Sequence, residues 1–210
     1  MAVNPNDLSR PHVWRPAADP AAARTLLLLH GSGADEFDLL SLGKLLDPKA
    51  NLLSPRGLVR VDGANRFFLR HDDGTFIDED IVRNSAELAE FLWVAAGKYG
   101  FDANNVYVVG FSNGANAAGA LLLLQPDSVR GIVAFGTTKS FDHTPFKKIP
   151  NLTGKRVWIA NGELDHYSPA ARTEAMIAEF ESLGATVSLR MHAGGHTISP
   201  QHVRDIAAEL

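Results

Sequence analysis

Three side chains far apart in the chain could share one proton relay: Ser112, Asp165 and His196. A serine hydroxyl alone is a weak nucleophile. It needs an imidazole within hydrogen-bond reach to take its proton and later return it to a leaving group. The imidazole needs a carboxylate to hold its tautomer and to stabilise the imidazolium formed during attack. Such a set performs acyl transfer through a covalent intermediate, and the order Ser, Asp, His is the one expected when the serine lies on a strand-to-helix turn.

Ser112 is the best marked of the three. The run Val106-Tyr107-Val108-Val109 stops at Gly110-Phe111-Ser112-Asn113-Gly114, and Ala115, Ala117, Ala118, Gly119 and Ala120 follow. This reads as a strand, a sharp turn and a helix whose small residues let it pack closely under a sheet. Gly-x-Ser-x-Gly is the nucleophile-elbow pattern, in which the glycines remove side chains that would collide with neighbouring backbone. His196 follows Ala193-Gly194-Gly195, a loop free enough to swing an imidazole back over a sheet. The other seven histidines have plainer readings: His30 braces a glycine loop, His192 continues a strand, His202 lies on a helix, and His12, His71, His143 and His166 are surface or loop residues. Asp165 lies in the loop Asn161-Gly162-Glu163-Leu164-Asp165, where Glu163 competes with it for the carboxylate role.

Acyl transfer also needs donors for the developing oxyanion. Two backbone N–H groups are candidates: that of Asn113, at a helix start, and that of Ser32 in His30-Gly31-Ser32-Gly33. No Gly-Lys-Ser/Thr follows that loop, so it is not a nucleotide phosphate loop.

The elements that must position these groups alternate. Strands are expected at Thr25 to Leu29, Asn51 to Ser54, Val106 to Val109, Gly131 to Phe135 and Arg156 to Ala160, with Val187, Leu189 and Met191 alternating in a last one. His12 to Arg15 is held to a sheet edge by Pro11 and Pro16. Helices are predicted over Glu36 to Asp47, from Asp78 to a stop at Gly100, after Ser112, after a Ser168-Pro169 cap, and after Ser199-Pro200. The stretch Arg56 to Phe76 reads as a long surface excursion, and Thr137 to Gly154 as a connection with at most a short helix. Strands alternating with helices give an α/β domain with a mostly parallel central sheet, helices on both faces, and ligands at the carboxyl ends of the strands.

The totals narrow the function. The 210 residues are 45% hydrophobic with no linker-like division, so residues 1–210 form a single domain able to bury a sizeable core. A net charge of −4 with no basic run argues against nucleic acid and anionic membranes and favours a small-molecule partner. With no cysteine there is no thiolate nucleophile and no disulfide. The polar start lacks secretory character, and the apolar runs are too short to cross a membrane, which fits a cytoplasmic setting. His192 and His196 are four apart but lie across a Gly-Gly loop, which is poor spacing for a metal pair on a helix.

Four motifs taken together carry a family resemblance: His30-Gly31-Ser32-Gly33-Ala34-Asp35-Glu36, Gly110-Phe111-Ser112-Asn113-Gly114, Asn161-Gly162-Glu163-Leu164-Asp165 and Gly195-His196. Over about residues 24 to 210 the chain resembles the phospholipase/carboxylesterase branch of the α/β-hydrolases, which includes small bacterial carboxylesterases and acyl-protein thioesterases. The resemblance implies an α/β-hydrolase fold and a serine esterase with Ser112, Asp165 and His196 as its triad. It also implies no cofactor and a homodimer. The segment from Arg66 to Asp80 resembles the loop that borders the substrate pocket in bacterial members, which makes Phe67, Phe68, Phe76 and Ile77 the expected apolar lining. Asn113 stands where acyl-protein thioesterases usually carry glutamine, a departure that favours small esters. The connection after Phe135 is too short for a large cap domain. An acyl thioesterase or lysophospholipase is the alternative enzyme, and a ligand-binding protein that has lost the reaction is the alternative of another class.

Overall fold

A computed structural model describes residues 8, 10–71, 75–143, 145 and 148–210. The remaining parts of the amino-terminal segment, of the 56–76 excursion and of the 137–154 connection lie outside the described residues.

Seven strands form one sheet: β1 (His12–Arg15), β2 (Thr25–Leu29), β3 (Asn51–Pro55), β6 (Val106–Phe111), β7 (Gly131–Phe135), β8 (Arg156–Gly162) and β9 (Thr186–His192). Their spatial order is β1-β3-β2-β6-β7-β8-β9. All neighbours run parallel except β1, which lies antiparallel to β3 at one edge. The prolines flanking β1 confine it to that edge. It is pinned from outside by Trp14 stacked on Tyr99 at 4.7 Å and by His12 Nε2 at 2.6 Å from the Tyr99 hydroxyl.

The parallel strands are apolar on both faces because both are covered. Leu27, Leu29, Val108, Ile132, Val157 and Ile159 belong to a core shared with α2 (Asp78–Tyr99), α3 (Asn113–Leu124) and α4 (Ala170–Ser182). Their neighbours Leu26, Leu28, Val109, Val133, Phe135 and Trp158 belong to a second core with α1 (Leu40–Leu46) and α5 (Pro200–Glu209). The period of two along each strand thus divides the leucines between two helical layers. Helix α3, at the centre, is buried from Asn113 to Leu123, which its alanines permit. Helix α2 starts on three acidic residues and ends at Gly100 in the left-handed conformation, as its periodicity predicts. Among the described residues, no helix is long and apolar enough to cross a membrane.

Several expectations need correction. The first helix begins at Leu40 and not at Glu36. The Asp35 side chain accepts the Phe37 N–H (2.9 Å), and Arg56 clamps Glu36 through two bonds of 2.5 and 2.6 Å, so the chain turns there before helix can start. Helix α4 begins at Ala170 with Pro169, not Ser168, before it. In β9, Leu189 is 44% exposed because β9 is the outer strand, where helical cover gives out.

The largest correction concerns the 56–76 excursion. It opens with a hairpin, β4 (Val59–Val61) and β5 (Ala64–Arg66), turned by Asp62 and Gly63, both with positive φ. Phe67 and Phe68 then dive into the core at 1% and 0% exposure. They anchor the segment and do not present apolar surface to a ligand. Phe68→Ala is therefore expected to destabilise the protein by about 3–5 kcal/mol, the usual range for deleting a buried aromatic ring. Urea unfolding measures this, and a loss under about 1 kcal/mol would mean that the ring is not a core member.

Candidate active site

The serine turn is strained and held from several sides. Ser112 joins β6 to α3 with φ 54° and ψ −119°, a conformation that costs a non-glycine residue about 1–3 kcal/mol. Its N–H donates to Phe135 O on β7 (2.9 Å), and its carbonyl accepts from Asn116 (3.0 Å), the first bond of the helix. A Cβ at Gly114 would lie 2.0 Å from Leu29 O, so only glycine lets the first turn of α3 approach the end of β2. The buried Asn113 side chain accepts from the Phe67 N–H (2.7 Å) and donates to Phe68 O (3.4 Å), tying the turn to the segment after β5.

Asp165 and His196 meet because strand pairing continues beyond β8 and β9. Past the last register pair, Gly162 with His192, the Glu163 N–H donates to His192 O (2.8 Å) and the Leu164 N–H to Gly194 O (3.0 Å). These bonds lay the loop carrying Asp165 along the loop carrying His196. Asp165 Oδ2 is 2.7 Å from His196 Nδ1, and Oδ1 accepts the Tyr167 N–H at 2.9 Å. The Asp165 side chain is fully buried, whereas Glu163 is exposed, so the structure brings the first and not the second to the imidazole. The His196 ring lies between Phe111 and Tyr167, both 5.0 Å away between centroids. It also lies over Gly136, where a Cβ would meet Cε1 at 2.8 Å. His192 shapes the same loop by accepting the Gly194 N–H at 3.0 Å.

The glycine loop after β2 completes the rim. His30 is buried, with Nδ1 2.7 Å from Gly31 O and Nε2 accepting the Gly57 N–H at 3.0 Å. That pair of contacts fixes a neutral ring protonated on Nδ1. The hairpin fastens to the loop through Gly33 N–H to Asn65 O and Asn65 Nδ2 to Ala34 O, both 2.9 Å.

These parts enclose a cavity of about 450 Å³ lined by Ser32, Ser112, His196, Phe111, Tyr167, Asp38, Arg66 and Arg70, with Gly31 and Ala34. A larger hollow, about 630 Å³, lies at the amino ends of β2 and β3 and holds neither serine nor imidazole. Of the expected apolar lining, Phe67 and Phe68 are in the core. Phe76 lines a neighbouring cavity with Arg70 and Tyr167, and half-buried Ile77 immediately precedes α2. Sequence reasoning missed Arg66, Arg70 and Tyr167. The Asp-Gly turn signal at 62–63 could have shown that a hairpin returns Arg66 toward the glycine loop.

Comparisons with known proteins bear on the family and the fold. The family profile described as Phospholipase/Carboxylesterase matches residues 12–210. MhqD of Bacillus subtilis (strain 168) is 37% identical over 189 residues, covering 88% of this chain and 90% of that protein. The crystal structure of the Bacillus cereus carboxylesterase superposes with a TM-score of 0.91 at 35% identity, over 96% of this chain and 93% of that one. A carboxylesterase from Mesorhizobium loti gives a TM-score of 0.82 at 31% identity, over 89% and 87%.

The state of His30 makes stability depend on pH. Burial pushes its pKa down from the ordinary 6.5, outweighing the nearby Asp35, Glu36 and Asp38, which push it up. Because the folded value lies below the unfolded one, the unfolded chain binds the proton first. The stabilisation is complete above the unfolded value and is lost as pH falls toward the folded one. From about pH 7.5 to about pH 5, thermal unfolding of the wild type should lose more stability than that of His30→Gln. Equal losses would show that His30 is not the group responsible.

Proposed function

Since the chain belongs to the phospholipase/carboxylesterase family, whose members are hydrolases, we propose that it is a serine carboxylesterase acting on short- to medium-chain esters through an acyl-enzyme on Ser112. The observation that carries this reading is the 2.7 Å contact between buried Asp165 and His196, in the wall of the cavity that Ser112 also lines.

In this reading His196 Nε2 takes the Ser112 proton as Oγ attacks the ester carbonyl. Asp165 accepts from Nδ1–H, keeps Nε2 free to act as base, and stabilises the imidazolium. The tetrahedral oxyanion is met by the N–H of Asn113, at the start of α3 where no preceding helical turn can use it, and by the N–H of Ser32. Collapse breaks the bond to the alcohol oxygen, which leaves with the proton from His196. Water then attacks the acyl-serine with the same base, freeing the acid and restoring the hydroxyl. The small cavity, with Phe67 and Phe68 withdrawn into the core, supports a compact substrate over a long acyl chain.

A fluorophosphonate probe should label the wild type stoichiometrically and leave Ser112→Ala unlabelled; equal labelling of both would remove Ser112 from the reaction. The choice of carboxylate has its own check. Asp165→Asn should lower kcat on p-nitrophenyl butyrate by about 10⁴-fold, as loss of the tautomer-holding carboxylate does in other triads, while Glu163→Gln stays within about twofold. The reverse pattern would assign the role to Glu163.

A further inference from the structure

The cavity wall contains two guanidiniums that acyl transfer does not use. Arg66 is the last residue of β5 and Arg70 lies four residues on; both are half-buried and both line the cavity with Ser112 and His196. The Nε atom of each is buried with no hydrogen-bond partner. Other half-buried arginines carry a carboxylate: Arg24 has Asp47 at 3.0 Å, Arg56 has Glu36 at 2.5 Å, and Arg172 has Asp142 at 2.7 Å. Among the described residues, no ion pair joins Arg66 or Arg70 to an acidic side chain.

The two cations also act on each other. Burial, and after it Arg66, pushes the Arg70 pKa down, and Tyr167 opposes them. Asp38, the acidic residue in the lining, is exposed and does not figure among the charges acting on Arg70. Arg70 is held instead by the face of Phe76, 4.6 Å from its guanidinium carbon, a contact that leaves its N–H donors unspent. Keeping two like charges together in partial burial without a partner is unfavourable, and a bound anion relieves it. The planar guanidinium fork suits a carboxylate accepting two parallel bonds.

We propose that Arg66 and Arg70 form an anion subsite beside the serine, and that the ester hydrolysed here carries a carboxylate remote from its scissile bond. The second clause rests on the esterase reading above; the first does not. The carboxylate can belong to the acyl half, as in a monoester of a dicarboxylic acid, or to the alcohol half.

Two pairs of esters separate these sources. Mono-p-nitrophenyl glutarate against p-nitrophenyl pentanoate tests the acyl half, and p-acetoxybenzoate against p-acetoxybenzamide tests the alcohol half. In one pair the wild type should favour the anion in kcat/KM by about tenfold or more, as expected for charge-assisted bonds. That ratio should fall toward one in Arg66→Gln and Arg70→Gln and, in the wild type, as salt is raised. Preference for the neutral ester in both pairs, or a ratio that survives both substitutions, would overturn the substrate assignment. Glutarate titrated into Ser112→Ala by calorimetry tests the subsite without turnover. Binding should be present there and weaker by about tenfold when Arg70→Gln is added. Absence of binding, or binding indifferent to Arg70→Gln, would refute the subsite. Arginine-dependent binding of glutarate without hydrolysis of any of the four esters would uphold the subsite while refuting the substrate assignment and the esterase reading.

Discussion

The site depends on how closely the first turn of α3 lies against the end of β2. With no side chain at Gly114, backbone meets backbone at a distance no Cβ would allow, and the serine turn and the His30–Gly33 loop become neighbours. A Cβ placed on Gly31 would lie 3.6 Å from that of Ser112. The position of Ser112 and one wall of its cavity therefore follow from a single packing contact made by the sheet and its central helix. The buried alanines of α3 extend the same closeness along the helix, so the strained φ of Ser112 is opposed by an entire packed element.

A second constraint comes from the ladder between β8 and β9. Asp165 and His196 stand on consecutive loops of neighbouring parallel strands, and the two amide bonds beyond the last register pair make those loops an extension of the sheet. The distance between Asp165 and His196 is thus inherited from strand spacing, with little freedom left to the loops themselves. Phe111, Tyr167 and the bare backbone at Gly136 then limit how the imidazole can rotate. In the proposed reaction such positioning matters, because small displacements of a base cost large factors in rate.

Where periodicity and punctuation were strong, the chain was readable. The buried strands, the long helix from Asp78 to its left-handed stop at Gly100, and the turn at Ser112 all follow from local pattern. The meeting of Asp165 with His196 was inferable from chain order, because both follow strands in a parallel sheet. What failed was context. Leucines at helical spacing over 36–47 gave no hint that Arg56 would clamp Glu36 and delay the helix. Phe67 and Phe68, adjacent aromatics in a polar stretch, read equally well as a pocket or as an anchor, and only tertiary packing decides. Leu189 alternates correctly yet lies where the sheet has run out of helix. Arg66 and Arg70 carry no motif at all; their meaning comes from Nε atoms buried without a hydrogen-bond partner and, among the described residues, from having no carboxylate paired with them.

The side chain of Asn113 acts as a socket. It receives one amide and one carbonyl from the chain at 67–68, the only demand the serine turn makes of that crossing segment through side-chain bonding among the described residues. The hairpin adds a second attachment, through Asn65 to Gly33 and Ala34, and Arg66 stands between the two, where a change of side chain leaves both in place. Ligand preference in this architecture can therefore diversify at such a position without disturbing the backbone plug that holds the serine turn.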